Sequence, residues 1–221
     1  MAGQGRIREP MSYGPADLIR ELGVSREAAE RLEMHRRLVL DWSERMNLMG
    51  PKELEPERYW RRHVLDCAQL VRIAPNARRW VDLGSGAGFP GIILGCLMAD
   101  HAEGQVHLVE ATGKKARFLE EAAKTIGLPV RVFNLRIEDF GFGEGPYDVV
   151  TARALAPLLR ILEHAKPILD RGAQGLFHKG ADFDAELAAA TNALSGGAYR
   201  ADVLESLSDP RGRIVRIRKA A

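Results

Sequence analysis

Apolar positions recur along this chain with two periods, and the change between them falls near residue 75. Before it the spacing is helical. Pro15 to Leu22 predicts a short helix stopped by Gly23. Ser25 then caps a longer one, with Glu27 and Glu30 in its first turns, where the helix dipole favours acids. Ala28, Leu32, Leu38, Val39, Trp42 and Met46 form its apolar positions, and Asn47-Leu48-Met49-Gly50-Pro51 closes it. Pro56 opens a third predicted helix, with Tyr59, Trp60, Val64, Leu65, Ala68 and Val71 as its buried set and Pro75 at its end. Residues 1–13 show no periodic apolar pattern and read as a flexible lead. Residues 1–75 are thus expected to form an all-helical extension, and 76–221 a second domain.

Beyond Arg78, short apolar runs alternate with helical patterns, the order of a parallel sheet covered on both faces. Strands are predicted around Trp80–Leu83 and at Gln105–Glu110, Val130–Leu135, Tyr147–Thr151 and Ala173–His178. Helices follow from Ile92, over Lys114–Ile126, from Pro157 and over Ala185–Leu194. At the end, Arg200–Leu207 and Arg213–Arg218 are joined only by Ser208-Asp209-Pro210-Arg211-Gly212. A connection that short permits a hairpin, so the last strand must run antiparallel. The pattern predicts an α/β, Rossmann-like fold: a mostly parallel seven-stranded sheet with an antiparallel C-terminal strand, plus the helical extension.

The chemistry concentrates at Val81–Gly91, V-D-L-G-S-G-A-G-F-P-G. A strand here runs through a glycine loop into a helix start, where free N–H groups and the helix dipole favour an anionic group. Gly86–Gly91 alone would match a dinucleotide loop. Asp82, two residues before the first glycine, points elsewhere; it either organises the loop or reaches an ammonium group through water. Glu110 ends the next strand, the position from which a carboxylate accepts ribose hydroxyls. D-x-G-x-G-x-G with a downstream acid resembles the class I S-adenosylmethionine (SAM) methyltransferases. A dinucleotide site and a purely structural turn are the other readings.

Composition changes this picture little. The 221 residues are 46% hydrophobic and 28% charged, as in an ordinary globular protein. No apolar run approaches the roughly 20 residues of a membrane span, and the N-terminus lacks the apolar core of a secretory signal. The expected location is the cytoplasm, without a membrane partner. Cys67 and Cys96 lie in apolar helical patterns and read as buried, reduced thiols, and no metal site is apparent. A net charge of +2 does not announce a nucleic-acid binder. The clusters Arg36-Arg37, Arg61-Arg62 and Arg211, Arg213, Arg216, Arg218, Lys219 matter more, as RNA contacts or as solvated faces.

Several separated motifs make the chain similar to the RsmG (GidB) family of bacterial 16S rRNA guanine-N7 methyltransferases. They are Asn47-Leu48, Arg62-His63-Val64-Leu65-Asp66, the loop with Phe89-Pro90-Gly91, Glu110 with Lys114-Lys115, Arg136-Ile137-Glu138, Thr151-Ala152-Arg153-Ala154, and Lys179-Gly180. The chain departs from the family at Met49, Cys67 and Ile93. The resemblance implies SAM as cofactor and small-subunit 16S rRNA, at a decoding-region loop, as substrate; a monomer is expected. It implies that Asp82, Gly84, Gly86, Gly88, Phe89, Glu110, Ala111, Ile137, Glu138 and Arg153 surround the cofactor. Arg153, Lys179 and His63 are the candidate catalytic residues.

Arg153 and Lys179 lie at the carboxyl ends of strands, where open α/β sheets bind ligands. An arginine there needs an anionic partner or water. His63 reads equally as a hydrogen-bonded core histidine, and Asp66 as its partner or that of Arg62. Phe89 reads equally as core, while Trp42 and Trp60 read as core. Arg36, Arg37, Arg61 and Arg62 are the candidate phosphate contacts. Neither the Asn/Asp-Pro-Pro-aromatic motif of adenine amino methylation nor a Pro-Cys nucleophile is present. Guanine N7 carries no proton, so its methylation needs positioning rather than a general base. A small-molecule methyltransferase, an NAD dehydrogenase and a non-enzymatic RNA-binding assembly factor are the alternatives.

Overall fold

The computed structural model describes residues 13–141, 143–180, 183–195 and 197–220. Seven strands form one sheet in the order β3-β2-β1-β4-β5-β7-β6. They are β1 (Arg79–Leu83), β2 (Gln105–Val109), β3 (Val130–Phe133), β4 (Val149–Arg153), β5 (Gln174–Lys179), β6 (Tyr199–Glu205) and β7 (Arg213–Lys219). The first five run parallel; β7 runs antiparallel to β6, as the short hairpin connection requires, and inserts antiparallel beside β5. The order reverses between β1 and β4, so ligands are expected at the carboxyl ends of those strands.

Two strand ends differ from the sequence expectation in a way that matters. β4 begins at Val149 rather than Tyr147, because the Asp148 carboxylate accepts the N–H groups of Arg78 and Arg79 at 2.7 and 2.9 Å. It extends to Arg153, which pairs in register with His178 of β5, and β5 extends to Lys179. Both cations are therefore the last residues of their strands, held by the sheet rather than by the loops after it.

The helical extension packs on the sheet without a seam. Leu18, Leu32, Val39, Tyr59 and Leu65 share one core with Ile92, Phe118, Val149 and Ile214. The second helix, Arg26–Arg45, is capped by Ser25, whose side chain accepts the Ala28 N–H at 3.0 Å. The expected third helix is less regular. Residues 56–73 are helical with a wide π-type stretch, Tyr59–Leu65, and a break at Gln69. There the Gln69 amide donates to Asp66 and accepts the Leu207 N–H at 2.9 Å, so the side chain ties this run to the β6–β7 connection. Tyr13, expected in a flexible lead, is buried, with its N–H on Glu57; the rest of that lead lies outside the described residues. Trp60 is core, and Trp42 packs edge-on against Phe118. Cys67 and Cys96 are buried thiols, pushed up by burial in an apolar setting. Among the described residues, no helix is long and apolar enough to cross a membrane.

Candidate active site

Two clusters form at the carboxyl edge of the sheet, one on each side of the point where the order reverses. The first is the glycine loop. Gly84, Gly86 and Gly88 have φ of 72°, 56° and 89°, a region that costs other residues strain. A Cβ on Gly91 would lie 2.2 Å from Leu108 Cδ2, so the helix Gly91–Met98 could not seat as closely on β2 with any other residue. Asp82 is fully buried, and its carboxylate accepts the Gly91 N–H at 3.1 Å and the Thr151 hydroxyl at 2.8 Å. Of its two expected roles, organising the loop is the one its contacts serve. Burial pushes its carboxyl up to about 6, against those hydrogen bonds.

Glu110 is buried too, so it is no solvated strand-end acid. Its two oxygens accept the N–H groups of Gly86 at 2.9 Å and Thr112 at 2.7 Å. A carboxylate offers about four acceptor positions, and two of them remain beside the loop. Ala111 is exposed, and its carbonyl accepts from Asn134 at 3.2 Å. Ile137 and Glu138 form a short turn after β3; Ile137 is half-buried and Glu138 is exposed.

Phe89 is buried in a ring cluster, 5.3 Å from His35, 5.8 Å from Tyr59 and 5.1 Å from His63. His35 is a contact of the loop that the sequence pattern does not single out. Its Nε2 donates to the carbonyl of Ala87 in the loop at 3.2 Å, and its Nδ1 accepts the Tyr59 hydroxyl at 3.0 Å. The helical extension thereby holds the glycine loop directly. The available signal was register: His35 falls on the buried stripe of Ala28, Leu32 and Val39, where an imidazole needs partners.

The second cluster lies at the ends of β4 and β5. Arg153 ion-pairs with Asp66 (Nε, 3.2 Å) and donates to His63 Nδ1 (3.0 Å) and the Arg62 carbonyl (3.1 Å). The anionic partner its position demanded comes from the helical extension. His63 completes its valence by donating from Nε2 to Glu53 at 2.8 Å. Burial and then the Arg153 charge lower its pKa to about 4, so it is neutral. Asp66 pairs with neither His63 nor Arg62, because its carboxylate points across to Arg153, Gln69, Ser206 and Ser208. Burial alone would raise its pKa, but His178, Arg153 and the two serine hydroxyls outweigh that and hold it below the usual carboxylate range. Lys179 ion-pairs with Glu186 and donates to the Ala156 carbonyl at 3.0 Å; it does not contact Arg153. Asp66, Arg153, Lys179 and Glu186 line a cavity of about 630 Å³ together with Arg62, Arg211 and Arg213; His63 lies behind Arg153, outside that lining. Between the clusters, Ala154 has φ 52°, and its turn lays Leu155 over Gly84.

The expected basic clusters separate. Arg216 and Arg218 are paired with Asp202, Arg36 lies over the Tyr59 ring and Arg61 over the Tyr13 ring. Arg62, Arg211 and Arg213 alone face the cavity.

Residues 28–214 match the family model described as GidB, rRNA small subunit methyltransferase G. The chain belongs to the GidB family. "Ribosomal RNA small subunit methyltransferase G" of Caulobacter vibrioides is 44% identical over 198 residues, 90% of this chain and 88% of that one. The Rhodospirillum rubrum protein of the same name is 46% identical over 204 residues, 92% and 96% of the two chains. Solved structures resemble the fold at lower identity. A SAM dependent methyltransferase from Aquifex aeolicus gives a TM-score of 0.58 at 18% identity, covering 79% of this chain and 96% of that one. Cofactor-bound Rv0187 from MTB gives 0.59 at 18% identity, covering 95% and 100%. The sheet order and helix placement of this GidB-family chain are those of the class I methyltransferase fold.

Proposed function

We propose that the chain transfers a methyl group from SAM to N7 of a guanine in the decoding-region loop of small-subunit 16S rRNA. Its place of work would be the cytoplasm, where that RNA is. Family membership supports the rRNA methyltransferase activity, and the chemistry of the cavity supports the atom. Every carboxylate on the cavity wall already has a cation: Asp66 has Arg153, Glu186 has Lys179 and Asp209 has Arg211. His63 has both ring nitrogens engaged, and burial also lowers the pKa of His178, whose Nε2 donates to the Asp66 carbonyl at 2.8 Å. Among the described residues no carboxylate of the wall is left free to act as a general base, and guanine N7 has no proton to give. The buried thiols cannot act as nucleophiles on a pyrimidine ring.

The loop fits the cofactor. A Cβ at Gly86 would meet nothing nearer than the Gly84 carbonyl at 3.9 Å, so the backbone there has an open face. The remaining lone pairs of Glu110 suit the ribose diol, with Ala111, Ile137 and Glu138 toward the adenine end and Gly84, Gly86 and Gly88 along the methionine end. Asp82 and Phe89 hold that loop from beneath. SAM supplies an electrophilic methyl group on a sulfonium. Arg153, fixed by three bonds, and Lys179 orient the substrate from the strand ends, and His63 positions Arg153.

The test is incubation with labelled SAM and ribosomal fractions from a strain lacking the enzyme, followed by reductive cleavage at N7-methylguanine. One cleavage in the small-subunit RNA is the expected result. Label on another atom, or only on small metabolites, would refute the assignment.

A further inference from the structure

We infer that the cavity at the ends of β4 and β5 contains a phosphodiester subsite, formed by Arg62 of the helical extension and Arg213 of the hairpin. It grips the rRNA backbone beside the target nucleoside. The inference rests on the rRNA reading above and adds to it a named pair of contacts.

The charges around the cavity carry the argument. Five cations line it: Arg62, Arg153, Lys179, Arg211 and Arg213. Three have a carboxylate within ion-pair distance, Arg153 with Asp66, Lys179 with Glu186 and Arg211 with Asp209. Arg62 and Arg213 have none among the described residues. Both are nonetheless anchored. Arg213 donates from Nη1 to the carbonyls of Pro210 and Gly212, each at 2.8 Å, which fixes its guanidinium without neutralising it. Its Nη2 and Nε donors stay available, and a planar guanidinium suits a phosphate's paired oxygens. Arg62 is exposed, while its backbone carbonyl is held by Arg153 at 3.1 Å. A grip on Arg62 is thus mechanically tied to the residue at the strand end. Arg62 lies in the field of Asp209 and Glu53 without ion-pairing with either, so both guanidinium groups keep donors for an anion that enters the cavity.

Size and outlet favour a polymer over a free ion. The cavity of about 630 Å³ falls within the range of about 300–1,000 Å³ that accommodates nucleotide-sized ligands. It shares Arg62, Ser208 and Asp209 with a second cleft of about 220 Å³, which also includes Arg58 and Arg61. A strand entering one cleft can leave by the other.

The experiment measures methyl-transfer kinetics of R62Q and R213Q on deproteinised small-subunit rRNA across a series of KCl concentrations. Each variant should raise KM for RNA about tenfold and leave kcat and KM for SAM within about twofold. The slope of log KM against log salt should flatten by about 0.7–1, the share of one phosphate contact. R62K and R213K should recover the slope, because they restore charge. R62Q guards against misfolding, since Arg62 is exposed, and equal thermal midpoints would verify it. If the wild type methylates rRNA but both Gln variants keep its KM and salt slope, the subsite is wrong and the rRNA reading stands. Loss of kcat at unchanged KM would equally overturn the subsite. Competitive inhibition by inorganic phosphate at matched ionic strength would assign the pocket to a free anion instead. A wild type that methylates no rRNA at any salt would remove both.

Discussion

The two sides of the carboxyl edge are built from opposite materials. On the β1–β2 side the carboxylates of Asp82 and Glu110 receive backbone N–H groups, and the loop surface is main chain and glycine. On the β4–β5 side the carboxylates receive cations and hydroxyls, and the surface is side chains of arginine and lysine. A cofactor of fixed shape can be met by rigid backbone. A folded RNA needs charge that steers and positions it. The helical extension contributes to both, through His35 on the first and Asp66 on the second.

The sharpest way to break this contrast is Asp66→Asn. Arg153 would lose the one carboxylate it pairs with among the described residues, at a mostly buried site, and urea unfolding should show a loss of about 3 kcal/mol. In the folded fraction, KM for rRNA should rise while SAM affinity by calorimetry stays put. A matching loss of SAM affinity would mean the two sides are one site.

Acid should act next most strongly, and on both sides at once. The folded chain protonates His35 only at about 3 and His63 only at about 4, against 6.5 in the unfolded chain. Their contribution to stability is complete above pH 6.5 and is lost as pH falls through 4 toward 3. Asp82 runs the other way: folded, it takes its proton at about 6 rather than 3.8, so it returns some stability between those values. The net loss between pH 7 and 4 should be on the order of 3 kcal/mol by urea titration. His35→Gln should flatten the acid limb; an unchanged limb would show that His35 is not held neutral.

Glu110→Gln tests the backbone-built side alone. Replacing the charge that grips Gly86 and Thr112 should weaken SAM binding about a hundredfold, with KM for rRNA within twofold. Tyr59→Phe is the mildest change. Removing the hydroxyl on His35 leaves one buried nitrogen unpaired and should lower stability by about 1 kcal/mol, with a small rise in KM for SAM. No change in that KM would separate the relay from the loop.

The sequence alone carried the order of elements, the seven strands, the hairpin reversal and the loop with its acid. Each of these is local: a period, a turn length, a glycine spacing or a residue at a strand end. The family motifs added Arg153, Lys179, His63 and Asp66 as a set, but sequence reasoning could not pair them. It offered Asp66 to His63, three residues away, when the partner is Arg153 in β4. It grouped the tail arginines, when Arg216 and Arg218 belong to Asp202 and Arg213 belongs to the cavity. Nothing local assigns a polar role to His35, Glu186 or Ser206, and Ser208 reads only as part of the hairpin connection.

Those pairings were decided only in three dimensions, and the reason is physical. Helix and strand periods depend on neighbours a few residues apart. Which charge neutralises which depends on where separate elements meet, and on which groups the fold buries there. Here the extension and the sheet close over one core, so residues from both must satisfy one another.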